Sequence, residues 1–196
     1  APLGRAVGNA LEVRESIETL MGRGPGDLED LSVRLAAEML VVAGLAGNRA
    51  DAERRVRDAL ASGAGLEKFR QMVAFQGGDA TIVDAPRKLA AGPGRLAVRS
   101  ERSGFVTRVD AGAVGRAAAI LGAGREVAGE PVDHAVGMLV RCKPGERVRG
   151  GDVLVDIYYR KDGRLRAAEK LVREAVVVDS EAPQPAPLVI DVVGRA

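Results

Sequence analysis

Apolar residues recur at helical spacing through the first part of the chain and at a spacing of two through much of the second part. The first pattern predicts helices and the second predicts half-buried strands. From Ala10 to Met21 the residues Ala10, Val13, Ile17, Leu20 and Met21 share one helical face, and Gly22 follows as a stop. Gly24-Pro25-Gly26 reads as a turn, and Asp27 as the N-cap of a long helix, with Asp30 favouring the positive end of its dipole. Leu28, Leu31, Leu35, Met39 and Val42 line one face of that helix up to about Gly44. Val33, Leu40 and Val41 lie on other faces, so it is expected to be covered on most sides. Asn48 is placed to cap a third helix carrying Val56 and Leu60. Leu66, Phe69, Met72 and Val73 mark a fourth, ending at Gly77-Gly78.

Between Asp84 and Gly94 the periodicity lapses into Pro, Gly, Ala and scattered charge, which predicts a linker, taken as residues 85–96. Alternation then begins with Phe105, Thr107 and Val109, and returns at Val136, Met138 and Val140 and at Val153, Val155, Ile157 and Tyr159. Two helices interrupt these strands. Asp110 caps one bearing Ala111, Val114, Ala118 and Leu121 and closed by Gly122, and Leu165, Ala168, Leu171 and Val172 define the other. Ala175–Val178 and Leu188–Val193 read as final strands joined by a Pro-rich connection. The expected organisation is a mostly helical region over 1–84, the linker, and an α+β module over 97–196.

Composition narrows the choice of partners. With 46% hydrophobic and 29% charged residues the chain reads as a soluble globular protein, and a net charge of +2 leaves no concentrated basic footprint for nucleic acid. Aromatic residues are 3% and Trp is absent, so stacking platforms for bases or sugars are few. No apolar stretch is long enough to span a bilayer, and no membrane partner is expected. The single cysteine permits no intrachain disulfide, which favours a reducing, cytoplasmic setting.

The candidate chemistry is thin. His134, the only histidine, precedes a strand with no Ser or Cys placed nearby as a nucleophile, and reads as structural or solvated. Cys142 follows Arg141, whose charge favours a thiolate, yet a lone small Cys usually serves packing. Gly122-Ala123-Gly124 follows a helix rather than opening one, so it reads as a helix end and not a dinucleotide loop. The Arg54-Arg55-Val56-Arg57 and Arg160-Lys161 runs read as solvated faces with local ion pairs. No HExxH, CxxC, Walker A or EF-hand spacing occurs, and no residue is assigned a catalytic or cofactor-binding role. The segment from Lys143 to Leu154 predicts two turns around a short strand pair, with the G-x-x-V-x-x-G-D-x-L pattern of hammerhead carrier domains. None of the five lysines has the flanks of a modified carrier Lys, so a swinging arm is disfavoured.

Several segments together carry a likeness to one family. They are Pro2-Leu3-Gly4-Arg5-Ala6-Val7-Gly8-Asn9-Ala10-Leu11-Glu12-Val13, Gly24-Pro25-Gly26-Asp27-Leu28, Phe69-Arg70-Gln71-Met72-Val73 with Gln76-Gly77-Gly78-Asp79, Ser103-Gly104-Phe105-Val106, Ala117 to Gly124, and Gly151-Asp152-Val153-Leu154. Over nearly its whole length the chain closely resembles the C-terminal half of the pyrimidine nucleoside phosphorylase and thymidine phosphorylase family. The resemblance implies an α/β plus α+β fold: the helical later part of a phosphate-binding α/β domain, then a small α+β C-terminal module with barrel-sandwich-like strands. It implies a glycosyltransferase of pyrimidine salvage that converts nucleoside and inorganic phosphate into base and pentose 1-phosphate. Both thymidine-specific and broader pyrimidine enzymes fit. In that family the groups that bind phosphate and base come from the N-terminal half, so this chain is expected to be a scaffold portion, inactive alone, of a homodimeric enzyme. The abrupt loop-to-helix opening fits a C-terminal fragment.

One site carries over from the resemblance. Family members bind a monovalent, potassium-like cation through main-chain oxygens of a Leu-Gly-x-Ala loop and a helical Glu, corresponding here to Leu3, Ala6 and Glu15. Glu15 points away from the apolar stripe of its helix, and it reads equally as an exposed helical acid. A non-catalytic binding or structural module with a carrier-like fold is the alternative to the phosphorylase reading.

Overall fold

The computed structural model describes residues 1–89, 91–125 and 129–193. The chain divides into two compact units that do not follow sequence order. One unit joins Ala1–Arg14 to Leu89–Pro185, and the other comprises Glu15–Lys88 with the described part of the C-terminal tail. Among the described residues no helix is long and apolar enough to cross a membrane.

The first unit is a mixed α and β structure with two antiparallel sheets. Strands β1 (Ala6–Val7), β2 (Gly94–Arg99), β4 (Gly137–Val140) and β6 (Val153–Tyr159) form a four-stranded sheet in the order β1-β4-β6-β2. Strands β3 (Gly104–Val109), β5 (Arg147–Val148) and β7 (Val176–Asp179) form a second, in the order β5-β3-β7. Helix α5 (Ala111–Leu121) packs on α6 (Leu165–Ala175), and the two share a core with strand residues Val106, Met138, Val155 and Ile157. The alternation that defines the strands sets this core: in β6, Val155 and Ile157 face inward, with Met138 and Val140 beside them on β4 in register. Asp110 caps α5 by accepting from the Ala113 N–H, and Gly122 ends it, as its sequence leads one to expect.

The first turn of α1 (Asn9–Leu20) is anchored within this unit. Gly8 and Gly137 meet where β1 joins β4: a Cβ on Gly8 would lie 2.8 Å from the Val136 oxygen, and one on Gly137 would lie 2.5 Å from the Val7 oxygen. Only glycine lets the two backbones approach so closely. The Asn9 side chain then donates to the Ala123 carbonyl at 2.8 Å, and the Ala10 N–H donates to the His134 carbonyl at 3.0 Å.

The second unit is helical, with the rest of α1 followed by α2 (Gly26–Val42), α3 (Arg49–Ala61) and α4 (Ala64–Phe75). Asn48 caps α3 by accepting from the Asp51 N–H. Four expectations need correction. The N-cap of α2 is Pro25 and not Asp27, because Asp27 lies inside the first turn and bonds the adjacent Leu28 N–H. Helix α2 is not covered on most sides: only Val33 and Ala37 are buried, while Leu35, Met39 and Val42 of the predicted inward row are exposed. Strand β2 begins at Gly94, so the last three residues of the expected linker belong to a sheet. Residues 188–193 form no strand, since an apolar run becomes one only where a sheet edge pairs with it.

Candidate functional site

The sequence directs attention to the opening loop, and the structure shows what holds it. Val140 donates its N–H to the Arg5 carbonyl at 2.8 Å, and β1 then pairs Ala6 with Leu139 and Val7 with Met138. Opposite pairs alternate in an antiparallel ladder, so the main-chain groups of Ala6 turn away from β4. Leu3, upstream, makes no hydrogen bond with the described residues. Its carbonyl is an acceptor without an internal partner. Glu15 lies in the middle of α1 and is half-buried.

A cation does sit against this loop, and it is a side chain. The Lys143 ammonium donates to the Pro2 carbonyl at 2.6 Å and also to the Gly4 carbonyl. Lys143 starts a tight turn, Lys143-Pro144-Gly145-Glu146, closed by the Glu146 N–H on the Lys143 carbonyl at 3.0 Å. Gly145 takes φ of 91°, which a turn of this kind requires after proline. The Glu146 carboxylate accepts from the Lys143 N–H at 3.1 Å, and the Gly145 N–H bonds the Val106 carbonyl of β3 at 2.8 Å. The lysine backbone is thus fixed on both sides, and its ammonium is delivered to the loop from a rigid base. The carbonyls that flank Leu3 hold a monovalent ammonium supplied by the chain itself. Among the described residues no group of three or more His, Cys, Asp or Glu side chains is placed to hold a metal.

The other candidates resolve into structure. His134 is exposed, and its main chain serves α1 by accepting from Ala10. The neighbouring Asp133 pairs with Arg160 at 2.7 Å and accepts from the Ala135 N–H at 3.0 Å, and the guanidinium of Arg160 holds its carboxyl below the usual carboxylate range. Cys142 is buried with its sulfur 3.7 Å from the Leu154 carbonyl, and burial pushes the thiol up to about 11. The adjacent Arg141 does not activate it, because Arg141 is committed elsewhere. Gly122-Ala123-Gly124 is a helix end, and the Arg54, Arg55 and Arg57 guanidinium groups pair with Asp51, Glu29 and Asp30 on exposed surface.

One cluster had no advance sign in the reading of periodicity. Asp156 of β6 has no exposed side-chain surface, and two half-exposed arginines clasp it from either side. Arg95 reaches one oxygen at 2.9 Å, and Arg141 reaches the other at 2.8 Å. The signal available was a carboxylate inside Val153-Leu154-Val155-Asp156-Ile157, a run otherwise wholly apolar. A buried charge in such a strand demands paired partners.

Residues 105–179 match the family model described as the pyrimidine nucleoside phosphorylase C-terminal domain. The chain's sequence is similar to that of pyrimidine-nucleoside phosphorylases. It is 38% identical to the pyrimidine-nucleoside phosphorylase of Bacillus subtilis (strain 168), with 94% of this chain and 42% of that protein aligned. The Staphylococcus haemolyticus (strain JCSC1435) protein of the same name is 36% identical over the same shares, and that of Staphylococcus aureus (strain USA300) is 37% identical over 91% of this chain and 41% of its own length. The chain therefore spans about two fifths of the length of the curated relatives it matches. The matched domain lies within the first unit and includes most of β3 and all of α5, β4, β5, β6, α6 and β7, together with Lys143 and Asp156.

Proposed function

We propose that this chain works as the C-terminal, scaffold part of a pyrimidine-nucleoside phosphorylase. The observation that carries the reading is an alignment running through 94% of the chain, well past the 105–179 domain and into the helical unit. In the reaction, the C1′–N bond of the nucleoside breaks and a phosphate oxygen bonds C1′, giving pentose 1-phosphate, while the departing base is protonated. The transition state carries cationic character on the sugar, so catalysis rests on placing phosphate beneath C1′ and stabilising charge on the base. We assign those groups to the part of the enzyme that this chain does not match, and no catalytic role to the residues described above.

The same reading gives the exposed apolar row of α2 a partner, namely the remaining length of the homodimeric enzyme. It also gives the loop a ligand. A monovalent cation would be held by the main-chain oxygens of Leu3 and Ala6 and by Glu15, where it supplies fixed positive charge. We read the two antiparallel sheets of the first unit as the barrel-sandwich-like strands of the C-terminal module.

The test is phosphorolysis of uridine and thymidine by the purified chain, and by the longer protein that results when the chain is expressed with whatever coding sequence lies directly upstream of it. Base and pentose 1-phosphate are expected only from the longer protein. Turnover by the 196-residue chain alone would overturn the scaffold assignment. Absence of turnover by the longer protein with either nucleoside would overturn the phosphorylase assignment.

A further inference from the structure

Strand β7 closes its sheet with an unfinished edge. The Asp110 N–H donates to the Ala175 carbonyl at 2.9 Å, so Ala175 aims its main chain at β3, and alternation turns Val177 and Asp179 the same way. Val176 and Val178 then point their N–H and C=O groups off the opposite side. Val106, which faces Val178 in the ladder, agrees with this: it accepts from the Gly145 N–H at 2.8 Å and donates to the Glu146 carbonyl at 2.9 Å, away from β7. Both valines are buried, β7 lies at the end of its sheet, and neither makes a main-chain bond across that edge among the described residues. Buried main-chain groups ordinarily find a partner. The edge borders a groove of about 270 Å³ that lies wholly within the first unit. Val98, Leu154 and Val172 make its floor apolar. Its rim carries Arg99, Arg102 and Arg173 with Glu101 and Glu174. The two acids are engaged, Glu101 with Arg173 at 3.6 Å and Glu174 with Lys170 at 4.0 Å. Arg99 gives a donor to the neutral Gly151 carbonyl, and the Arg102 side chain has no partner among the described residues, so both keep an unneutralised charge. The chemistry that suits this place is an extended segment with apolar side chains and an acid, which bonds β7 as a strand, covers the floor and meets the rim.

The chain carries a segment of that description. Leu188-Val189-Ile190-Asp191-Val192-Val193 is rich in β-branched residues, holds no proline, and follows Pro183, Pro185 and Pro187. It forms no strand, Ile190 and Val193 are almost wholly exposed, and Asp191 meets only the adjacent Val192 N–H, at 2.7 Å, among the described residues. Extended, the run puts Leu188, Ile190 and Val192 on one side and Asp191 on the other. We propose that residues 188–193 of a second copy add a strand to the β7 edge, taking up the N–H and C=O groups of Val176 and Val178 and bringing Asp191 to Arg99 and Arg102. The inference is independent of the phosphorylase reading. One strand in one groove is a contact at the small end of interface sizes, so the association is weak and belongs to concentrated solution.

The experiment follows hydrogen exchange of the Val176 and Val178 amides by NMR in the 196-residue chain and in its Ile190→Lys and Arg102→Glu variants, after circular dichroism has shown that all are folded. Both substitutions fall on exposed side chains, so the fold should survive them. Exchange is read at about 20 µM and at about 1 mM protein, since only association makes it depend on concentration. In the parent both amides should slow about tenfold at the higher concentration, as the added strand takes their N–H groups. Ile190→Lys should abolish the slowing. Arg102→Glu should raise the concentration needed for it about tenfold, and adding Asp191→Lys should recover part of that loss. Fast exchange at both concentrations in the parent would overturn the proposal. Slow exchange at both, relieved by Ile190→Lys, would mean that each chain closes its own edge, which overturns exchange between copies. Slowing that survives Ile190→Lys would assign the association to a different segment. An unchanged concentration dependence in Arg102→Glu would remove the charge match on which the choice of residues 188–193 rests.

Discussion

In the first unit the residues that define each strand are sealed away from water: Val106, Met138, Val155 and Ile157 have no exposed surface. In the second unit α2 carries an equally regular apolar row, and Leu35, Met39 and Val42 are 56%, 70% and 88% exposed. Both patterns are readable along the sequence, and both correctly name residues that share a face. They differ in what the face meets. A strand in a two-sheet module with two helices above it is covered by its own neighbours, whereas a helix with apolar residues on several faces needs more cover than one short helical unit supplies. Within its unit, α2 buries the side bearing Val33 and Ala37, and its packing there is against α3. Periodicity states which residues lie together, and burial depends on the supply of surfaces around them.

The largest test of the sealed unit is Ile157→Ala. Its side chain is fully buried among Met138, Val155 and the helices, so the lost transfer energy and the cavity together should cost about 3 kcal/mol. Urea unfolding measures this directly. A loss under about 1 kcal/mol would mean that the first unit is far less tightly packed than its exposures indicate.

Asp156→Asn tests the polar centre of the same unit. The substitution keeps the shape and removes the charge on which Arg95 and Arg141 converge, one on each oxygen. Both arginines are about half exposed and can turn to water, so the cost should be about 2 kcal/mol, below that of orphaning a fully buried pair. A double-mutant cycle of D156N with R95M and with R141M divides the loss between the two clasps. Coupling to only one of them would reduce the cluster to a single ion pair beside a bystander.

These two residues also mark how far the fold and the site were legible in advance. Ile157 was readable, because alternation over Val153, Val155, Ile157 and Tyr159 needs only local information. The Asn48 and Asp110 caps were readable for the same reason, since each bonds an N–H three residues ahead. The Asp156 clasp was not, because Arg95 lies 61 residues away and meets the carboxylate only once β2 pairs with β6. The grip of Lys143 on Pro2 and Gly4 depends likewise on chain segments that meet only in the folded protein. Leu188–Val193 failed as a strand through the same dependence: its residues are suitable for a sheet, and no edge receives them.

A smaller effect follows from the surface ion pair of Asp133 with Arg160. The guanidinium lowers the Asp133 pKa in the folded state, so the pair stabilises the protein above the unfolded carboxylate value of about 4 and that contribution is lost as pH falls through the depressed folded value. The arginine is half exposed, so solvent screening keeps the contribution small. Urea unfolding of R160Q and its parent at neutral pH and at about pH 3 should show the two curves converging in acid. A gap that stays constant with pH would assign the loss to packing of the arginine stem.

The smallest expected change is the most informative about α2. Leu35→Ala and Met39→Ala remove side chains that already face water, and neither leaves a cavity, so each should shift stability by less than about 0.5 kcal/mol. Placed beside Ile157→Ala, this is the same chemical deletion on a face that the chain itself does not cover. The comparison sharpens if unfolding is measured at two protein concentrations. A concentration-independent midpoint with negligible losses leaves the row open to the solvent in this chain, as its exposure indicates. A loss of more than about 1 kcal/mol that grows on concentration would mean that a second copy covers the row, because only association makes the stability of a face depend on how much protein is present.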